Sequence, residues 1–289
     1  MLLNPAHDQF HLNYDPNPCA PEDLLLIIMG DAVLLKTAGE CKALPSCGEL
    51  VAFPLPSAPL HAFTQGAQRV FLGLPAERSP APEGFAWEPV RIFRELDSQQ
   101  DALFLILAYH LATWYTRHRY CGACSGAMHP AAEERALVCD HCGLSVYPQI
   151  SPAVIVAIVD GDRLLLARNA TGAFRHYSLI AGYVEVGESL EQAARREILE
   201  EVGLKVKHLR YMGSQPWGLS QSLMVGFCAA LDGDATITLQ ASELADAQWF
   251  DAQSLPEHAG PASIAYELIE RFRTGRLDTP LDDTQEERA

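Results

Sequence analysis

Apolar and polar positions change period several times along the 289 residues. From Leu24 to Leu35 the apolar run breaks only at Gly30-Asp31, which predicts a buried β-hairpin. That stretch is too short to cross a bilayer. Pro45, Pro54, Pro56, Pro59, Pro80 and Pro82 punctuate short apolar runs, so residues 1–97 read as a β-rich domain. From Ser98 to about His118, Ala102, Leu103, Leu105, Ile106, Ala108, Tyr109, Ala112 and Trp114 recur without Pro or Gly and predict a helix. Two apolar runs, Val154–Val159 and Arg163–Arg168, flank Asp160-Gly-Asp162 and predict a second hairpin. Helices follow over Ser189–Val202 and Ser263–Phe272, with a strand between them at Leu223–Leu231. The polar tail, 276–289, reads as disordered.

The helix from Ser189 carries the chemistry. Ser189 and Gln192 have capping-box spacing, and Gly203 supplies a left-handed terminus. Leu190, Ala194 and Ile198 recur every four residues as a packed stripe. Glu197 and Glu201 project from a neighbouring face, with Glu200 beside them. Carboxylates so close repel unless a hard divalent cation such as Mg²⁺ or Mn²⁺ sits among them. Arg196 precedes Glu200 by four and can pair with it. Gly182 and Gly187 free the preceding loop to curl over the site. A solvated Glu/Arg helix would need neither glycine, nor Glu188 at its offset.

Ahead of this helix, Cys121-Gly-Ala-Cys124 and Cys139-Asp-His-Cys142 are separated by fourteen residues. Two C-x2-C pairs at that spacing suit one closed tetrahedral Zn²⁺ site, structural because no coordination position is open. Four thiolates leave His129 and His141 outside the ligand set. Cys19, Cys41, Cys47 and Cys228 have no comparable pattern and read as ordinary small residues.

Composition adds two exclusions. With 48% hydrophobic and 20% charged residues the chain reads as globular and soluble. Its net charge of −16 excludes a nonspecific duplex-DNA surface, which needs clustered Lys and Arg. Met1–Pro18 lacks the basic and apolar regions of an export signal, so the expected compartment is the cytoplasm, with thiols reduced.

The segment Gly182–Leu204 matches G-x5-E-x7-R-E-U-x-E-E-x-G-U, with U apolar, at every defined position. It therefore resembles the Nudix box of hydrolases that cleave a nucleoside diphosphate linked to another group. The resemblance implies metal ligands at Glu197, Glu201 and Glu200, leaves open which glutamate is the base, and gives Glu188 a loop-bracing or outer metal role. The implied fold is α+β: a Nudix α/β/α sandwich with a mixed sheet over 149–275, preceded by a helix and zinc ribbon over 98–148.

Ser214-Gln-Pro-Trp217-Gly-Leu-Ser-Gln-Ser222, in isolation a loop, resembles the SQPWPFPxS signature of the NADH pyrophosphatase (NudC-type) subfamily, which includes enzymes that remove NAD caps from RNA. Tyr147-Pro-Gln-Ile150 and Ala181–Glu188 resemble it too. Gln215, Pro216, Trp217, Gly218, Leu219, Ser220, Gln221 and Ser222 fall on the implied substrate loop. Gly218-Leu219-Ser220 replaces Pro-Phe-Pro, which predicts a less rigid loop with one aromatic ring fewer. The resemblance further implies substrate contacts at Glu134, Tyr147, Ala181, Tyr183 and Ala265, a metal ligand at Glu243, and an N-terminal phosphate contact at Arg91. It implies a homodimer in which Tyr147 of a second subunit and Tyr183 enclose a nucleobase. The expected reaction converts NAD(H) to NMN(H) and AMP, on free dinucleotide or on NAD-capped RNA. ADP-ribose or a dinucleoside polyphosphate remains the alternative substrate, and an inactive zinc-ribbon RNA-binding module the alternative class.

Overall fold

The computed structural model describes residues 10–11, 14–39, 41–171, 176–278 and 281, so most of the tail read as disordered lies outside the described residues. The chain forms two compact units, Leu3–Gln149 with Trp217–Gln221, and Ile150–Pro216 with Ser222–Ala289. Among the described residues no helix is long and apolar enough to cross a membrane.

The first unit holds a seven-stranded sheet of β1 (Phe10–His11), β2 (Leu24–Met29), β3 (Ala32–Ala38), β4 (Cys41–Ala43), β5 (Leu60–Gln65), β6 (Gln68–Gly73) and β7 (Phe85–Pro89). β2 and β3 are the expected hairpin, joined antiparallel from Met29↔Ala32 to Ile27↔Leu34. Their apolar run is continuous because both faces are covered: Leu25, Leu26, Ile27, Val33, Leu34 and Leu35 are all buried. After a 3-10 turn (Val90–Arg94) comes α1 (Gln99–Arg117). Ser98 caps it by accepting the Asp101 N–H at 3.1 Å, and Phe104, Leu105, Ile106 and Trp114 are buried along it. The zinc-ribbon segment adds a three-stranded antiparallel sheet of β8 (Met128–Pro130), β9 (Leu137–Cys139) and β10 (Ser145–Val146).

The second unit is the α/β/α sandwich. Its strands are β11 (Ser151–Asp160), β12 (Arg163–Asn169), β13 (Ile180–Tyr183), β14 (Val206–Trp217), β15 (Ser222–Leu231) and β16 (Leu244–Asp251), and its helices α2 (Leu190–Val202) and α3 (Ile264–Arg273). The sheet order is β14-β15-β11-β12-β16, with β13 also on β11. It is mixed: β11 runs parallel to β15 from Ser151↔Ser222 to Val159↔Ala230 and antiparallel to β12 and β13.

Alternate residues of β11 serve opposite cores. Val154, Val156 and Ile158 pack with Ala193, Ala194, Ile198 and Val202 of α2. Ile155 and Ala157 pack with Ile264, Ala265, Leu268 and Ile269 of α3. The Asp-Gly turn forms as expected, but β12 pairs with β11 only at Val159↔Leu164 and Asp160↔Arg163. On its other edge β12 pairs with β16 from Arg163↔Asp251 to Asn169↔Leu244, and β13 takes Ala153–Val156 of β11.

Helix α2 begins and ends where its spacing required. Ser189 accepts the Gln192 N–H, Gln192 accepts the Ser189 N–H at 2.8 Å, and Gly203 closes the helix at φ 71°. Two expectations need correction. Gly182 lies in strand β13, so the curled loop begins only at Val184. Ser214–Trp217 likewise ends strand β14, and only the residues between Trp217 and Ser222 turn.

Removing the cap hydroxyl with Ser189→Ala should cost about 1 kcal/mol. Urea denaturation followed by far-UV circular dichroism reads this as a lowered midpoint with an unchanged slope.

Candidate active site and zinc ribbon

One guanidinium organises the carboxylates. Arg196 Nε and Nη2 donate to both oxygens of Glu188 at 2.7 and 2.8 Å. Its Nη1 donates to Glu197 at 2.7 Å and to Glu200 at 3.1 Å, and Nη2 also reaches the Tyr183 carbonyl at 2.9 Å. The expected Arg196–Glu200 pair exists, but it is the longest of these contacts. The sequence reading missed the fork onto Glu188, eight residues away and beyond helical spacing. Glu188 also accepts the Glu185 N–H at 3.0 Å and so braces the loop before α2. The Arg196 fork and that N–H hold its carboxyl down at about 2.

Glu197 lies against the backbone of Gly182. A Cβ at Gly182 would fall 2.0 Å from Glu197 Cδ, so glycine is needed here for close approach. Glu201, on the inner side of α2, is 6% exposed. Its carboxyl is pushed up to about 8, first by burial and then by the charges of Glu197, Glu243 and Glu200. Among the described residues Glu201 has no ion-pair partner. A buried acid crowded by three others fits a divalent cation, whose charge would offset that repulsion.

Glu201, Glu243 and Ala181 line one cavity of about 320 Å³, together with Asn169, Ser178 and Ser242. These last three come from separate segments, so no sequence spacing announces them. Gln240 Nε2 donates to Glu243 Oε1 at 3.0 Å. On β13, Tyr183 is 51% exposed, and its hydroxyl accepts from Ser222 Oγ at 3.3 Å.

Gln215 is wholly buried, and Pro216 is half-buried. Ala265 lies buried in the first turn of α3. In the first unit, Trp217 packs edge-on against Phe93 with centroids 6.0 Å apart, and Gln221 Oε1 accepts from Arg117 at 3.0 Å. Leu219 is half-buried and Ser220 exposed. A Cβ at Gly218 would lie 2.1 Å from the Ile106 carbonyl oxygen. Gly218 thus sits where α1 approaches it closely and leaves no room for a side chain.

Tyr147, 56% exposed, donates its hydroxyl to Glu134 at 3.0 Å, so these two are neighbours. Arg91 is exposed in the 3-10 turn.

The four cysteines converge. Cys121 and Cys142 sulfurs are 3.6 Å apart, Cys124 and Cys139 sulfurs 3.5 Å, and all four lie within 4.8 Å of one another. Zn–S bonds of about 2.3 Å at tetrahedral angles require sulfur separations of about 3.8 Å. The quartet fits zinc on geometry and donor type. N–H groups of Ala123 and Cys124 bring the Cys121 thiol down to about 7, and those of Cys142 and His141 lower Cys139. His129 instead faces Asp140 at 3.1 Å. Among the described residues no other set of three or more metal-binding side chains is as tight, so the glutamate oxygens are spread more widely.

Comparison with known proteins agrees with both centres. The NUDIX domain family matches residues 150–272, and the NADH pyrophosphatase zinc ribbon domain matches residues 116–147. A Pseudomonas syringae pv. syringae protein named NAD-capped RNA hydrolase NudC is 43% identical over 206 residues, covering 71% of this chain and 73% of that protein. This chain belongs to the NudC-type family of Nudix hydrolases. A Stutzerimonas stutzeri protein of the same name is 43% identical over 68% of this chain and 71% of its own. One from Escherichia coli O157:H7 is 47% identical over 55% of this chain and 62% of its own.

Two outcomes follow for this Nudix hydrolase. Gly182→Ala should displace the Glu197 carboxylate and lower kcat on the order of 100-fold, with α2 content unchanged by circular dichroism. Glu201 binds its proton more tightly folded than unfolded, so its own contribution to stability is fully present below its ordinary value of 4.5 and is lost as pH rises to about 8. Urea midpoints of zinc-loaded protein without added Mg²⁺ or Mn²⁺ should decline across that window. Glu201→Gln should flatten the decline.

Proposed function

We propose that the protein hydrolyses the pyrophosphate of NAD(H) to NMN(H) and AMP, and removes NAD caps from RNA 5′ ends in the same site. The observation that carries this reading is one acidic cluster built by Arg196 on a Nudix box, in a chain that also bears the zinc ribbon of NADH pyrophosphatases. Relatives named NAD-capped RNA hydrolase supply the capped RNA. Glu197, Glu200, Glu201 and Glu243 would hold Mg²⁺ or Mn²⁺, which supplies Lewis-acid polarisation of the pyrophosphate and a more acidic water.

The chain's own residues do the rest. Arg196 keeps Glu188, Glu197 and Glu200 in fixed orientation, so the acidic cluster is arranged before substrate arrives. Water attacks one phosphorus, the bridging P–O bond breaks, and a carboxylate of the cluster takes the proton. Tyr183 and Ser222 form a ring-and-hydroxyl edge for a nucleobase, with Ala181, Pro216 and Ala265 of the same unit around the rest of the dinucleotide. By resemblance Glu134 and Tyr147 also contact substrate, Tyr147 from the second subunit of a homodimer; its exposure and its hydrogen bond to Glu134 support an outward-facing role. We place the reaction in the cytoplasm, where reduced thiols can keep zinc.

A second reading, an ADP-ribose hydrolase, is favoured by Gly218-Leu219-Ser220 in place of Pro-Phe-Pro. A substrate panel with Mn²⁺ decides between the two. NADH and NAD-capped RNA should be turned over at least about tenfold faster than ADP-ribose at equal concentration. The opposite order would replace the assignment. Glu201→Gln should lower kcat by about three orders of magnitude while leaving zinc content unchanged.

A further inference from the structure

Among the described residues of the second unit Gln215 is the most deeply buried polar one, with no exposed surface. A side chain so enclosed cannot lie against a nucleotide. Both of its polar atoms are spent on the entry to α3. Nε2 donates to the Ala262 carbonyl at 2.9 Å, and Oε1 accepts the Ile264 N–H at 2.7 Å. Ser263 accepts the Tyr266 N–H at 3.3 Å. The first and third N–H groups of α3 are thereby occupied, one by Gln215 and one by the cap. The second, on Ala265, has no partner among the described residues.

The helix start lies tightly on the sheet beside this clamp. A Cβ at Gly226 of β15 would meet Ile264 Cδ1 at 2.8 Å. β-Sheet register puts Ala181 and Tyr183 on the same side of the sheet as α3, because they pair with Ile155 and Ala153 of β11, and Ile155 packs against that helix. The substrate edge and the start of α3 therefore share one face.

We propose that Gln215 is a positioning residue: it does not touch substrate, but fixes the first turn of α3 against β14 so that the Ala265 N–H stays available to the dinucleotide. This rests on the NAD(H) reading for what Ala265 meets, though not for the clamp itself. An amide is suited to the role, since it donates and accepts at once. Methionine has similar length and can do neither, whereas glutamate keeps an acceptor for Ile264 and loses the donor to Ala262.

The test compares wild type, Gln215→Met and Gln215→Glu as full-length, zinc-loaded proteins. Steady-state kinetics on NADH with Mn²⁺ is combined with amide hydrogen exchange of the peptide spanning residues 262–268. Gln215→Met should raise KM about tenfold. Its kcat should stay within about twofold, and exchange at the start of α3 should quicken. Gln215→Glu should fall between wild type and Gln215→Met in both KM and exchange, and it carries the test if the methionine variant does not fold. Unchanged KM in a folded variant overturns the proposal. A raised KM with wild-type exchange also overturns it, since Gln215 would then act on substrate directly. Wild-type protein inert toward NADH would defeat the NAD(H) reading alone, while the exchange comparison would still report on the clamp.

Discussion

The Nudix box depends on Arg196. Carboxylates gathered on one helix face push one another apart, and Glu201 shows the result: buried, crowded by other acids and with no cationic partner among the described residues, it holds its proton up to about pH 8. Glu188, Glu197 and Glu200 instead share one planar guanidinium, which distributes its donors among them. The same group reaches the Tyr183 carbonyl, tying the helix to the neighbouring strand. The cluster is thus divided between acids hydrogen-bonded to arginine and one buried acid that is not. That asymmetry suits a site for divalent cations, because part of the electrostatic cost is already met within the fold.

Sheet register supplies the second constraint. Along β13, Gly182 faces the α2 core and receives the Glu197 carboxylate, while Ala181 and Tyr183 face the α3 side. A one-residue slip would exchange those faces, putting a Cβ where Glu197 lies and turning Tyr183 inward. The long parallel pairing of β11 with β15 sets Ser222 beside Tyr183. Acidic cluster and aromatic edge are therefore two faces of one strand. The short pairing of β11 with β12 is what leaves an edge of β11 open for β13.

Much of this was legible from residues alone, for local reasons. The Ser189 cap, the Gly203 terminus and the Cys121–Cys142 spacing are short-range patterns whose geometry follows from backbone hydrogen bonding or sulfur coordination. The hairpin at Gly30 and both long helices follow from periodicity. What escaped notice depends on partners distant in sequence. Gly182 reads as a flexible loop residue until Glu197 is seen against it. At Gly218 nothing local announces the Ile106 carbonyl beside it. Gln215 reads as a polar loop residue, because nothing local reveals that Ala262 and Ile264 use up both its polar atoms. Strand β14 hid for a similar reason: its burial pattern is irregular, and its last residues resemble a loop signature.

The most direct test of the arginine-centred account is Mn²⁺ binding to zinc-loaded protein, read by electron paramagnetic resonance of the free ion, for wild type and Arg196→Lys. Lysine keeps the positive charge but lacks the planar fork, so a change reports geometry and not net charge. The account predicts Mn²⁺ affinity weakened by about tenfold, with helix content unchanged. Wild-type affinity in Arg196→Lys would contradict it.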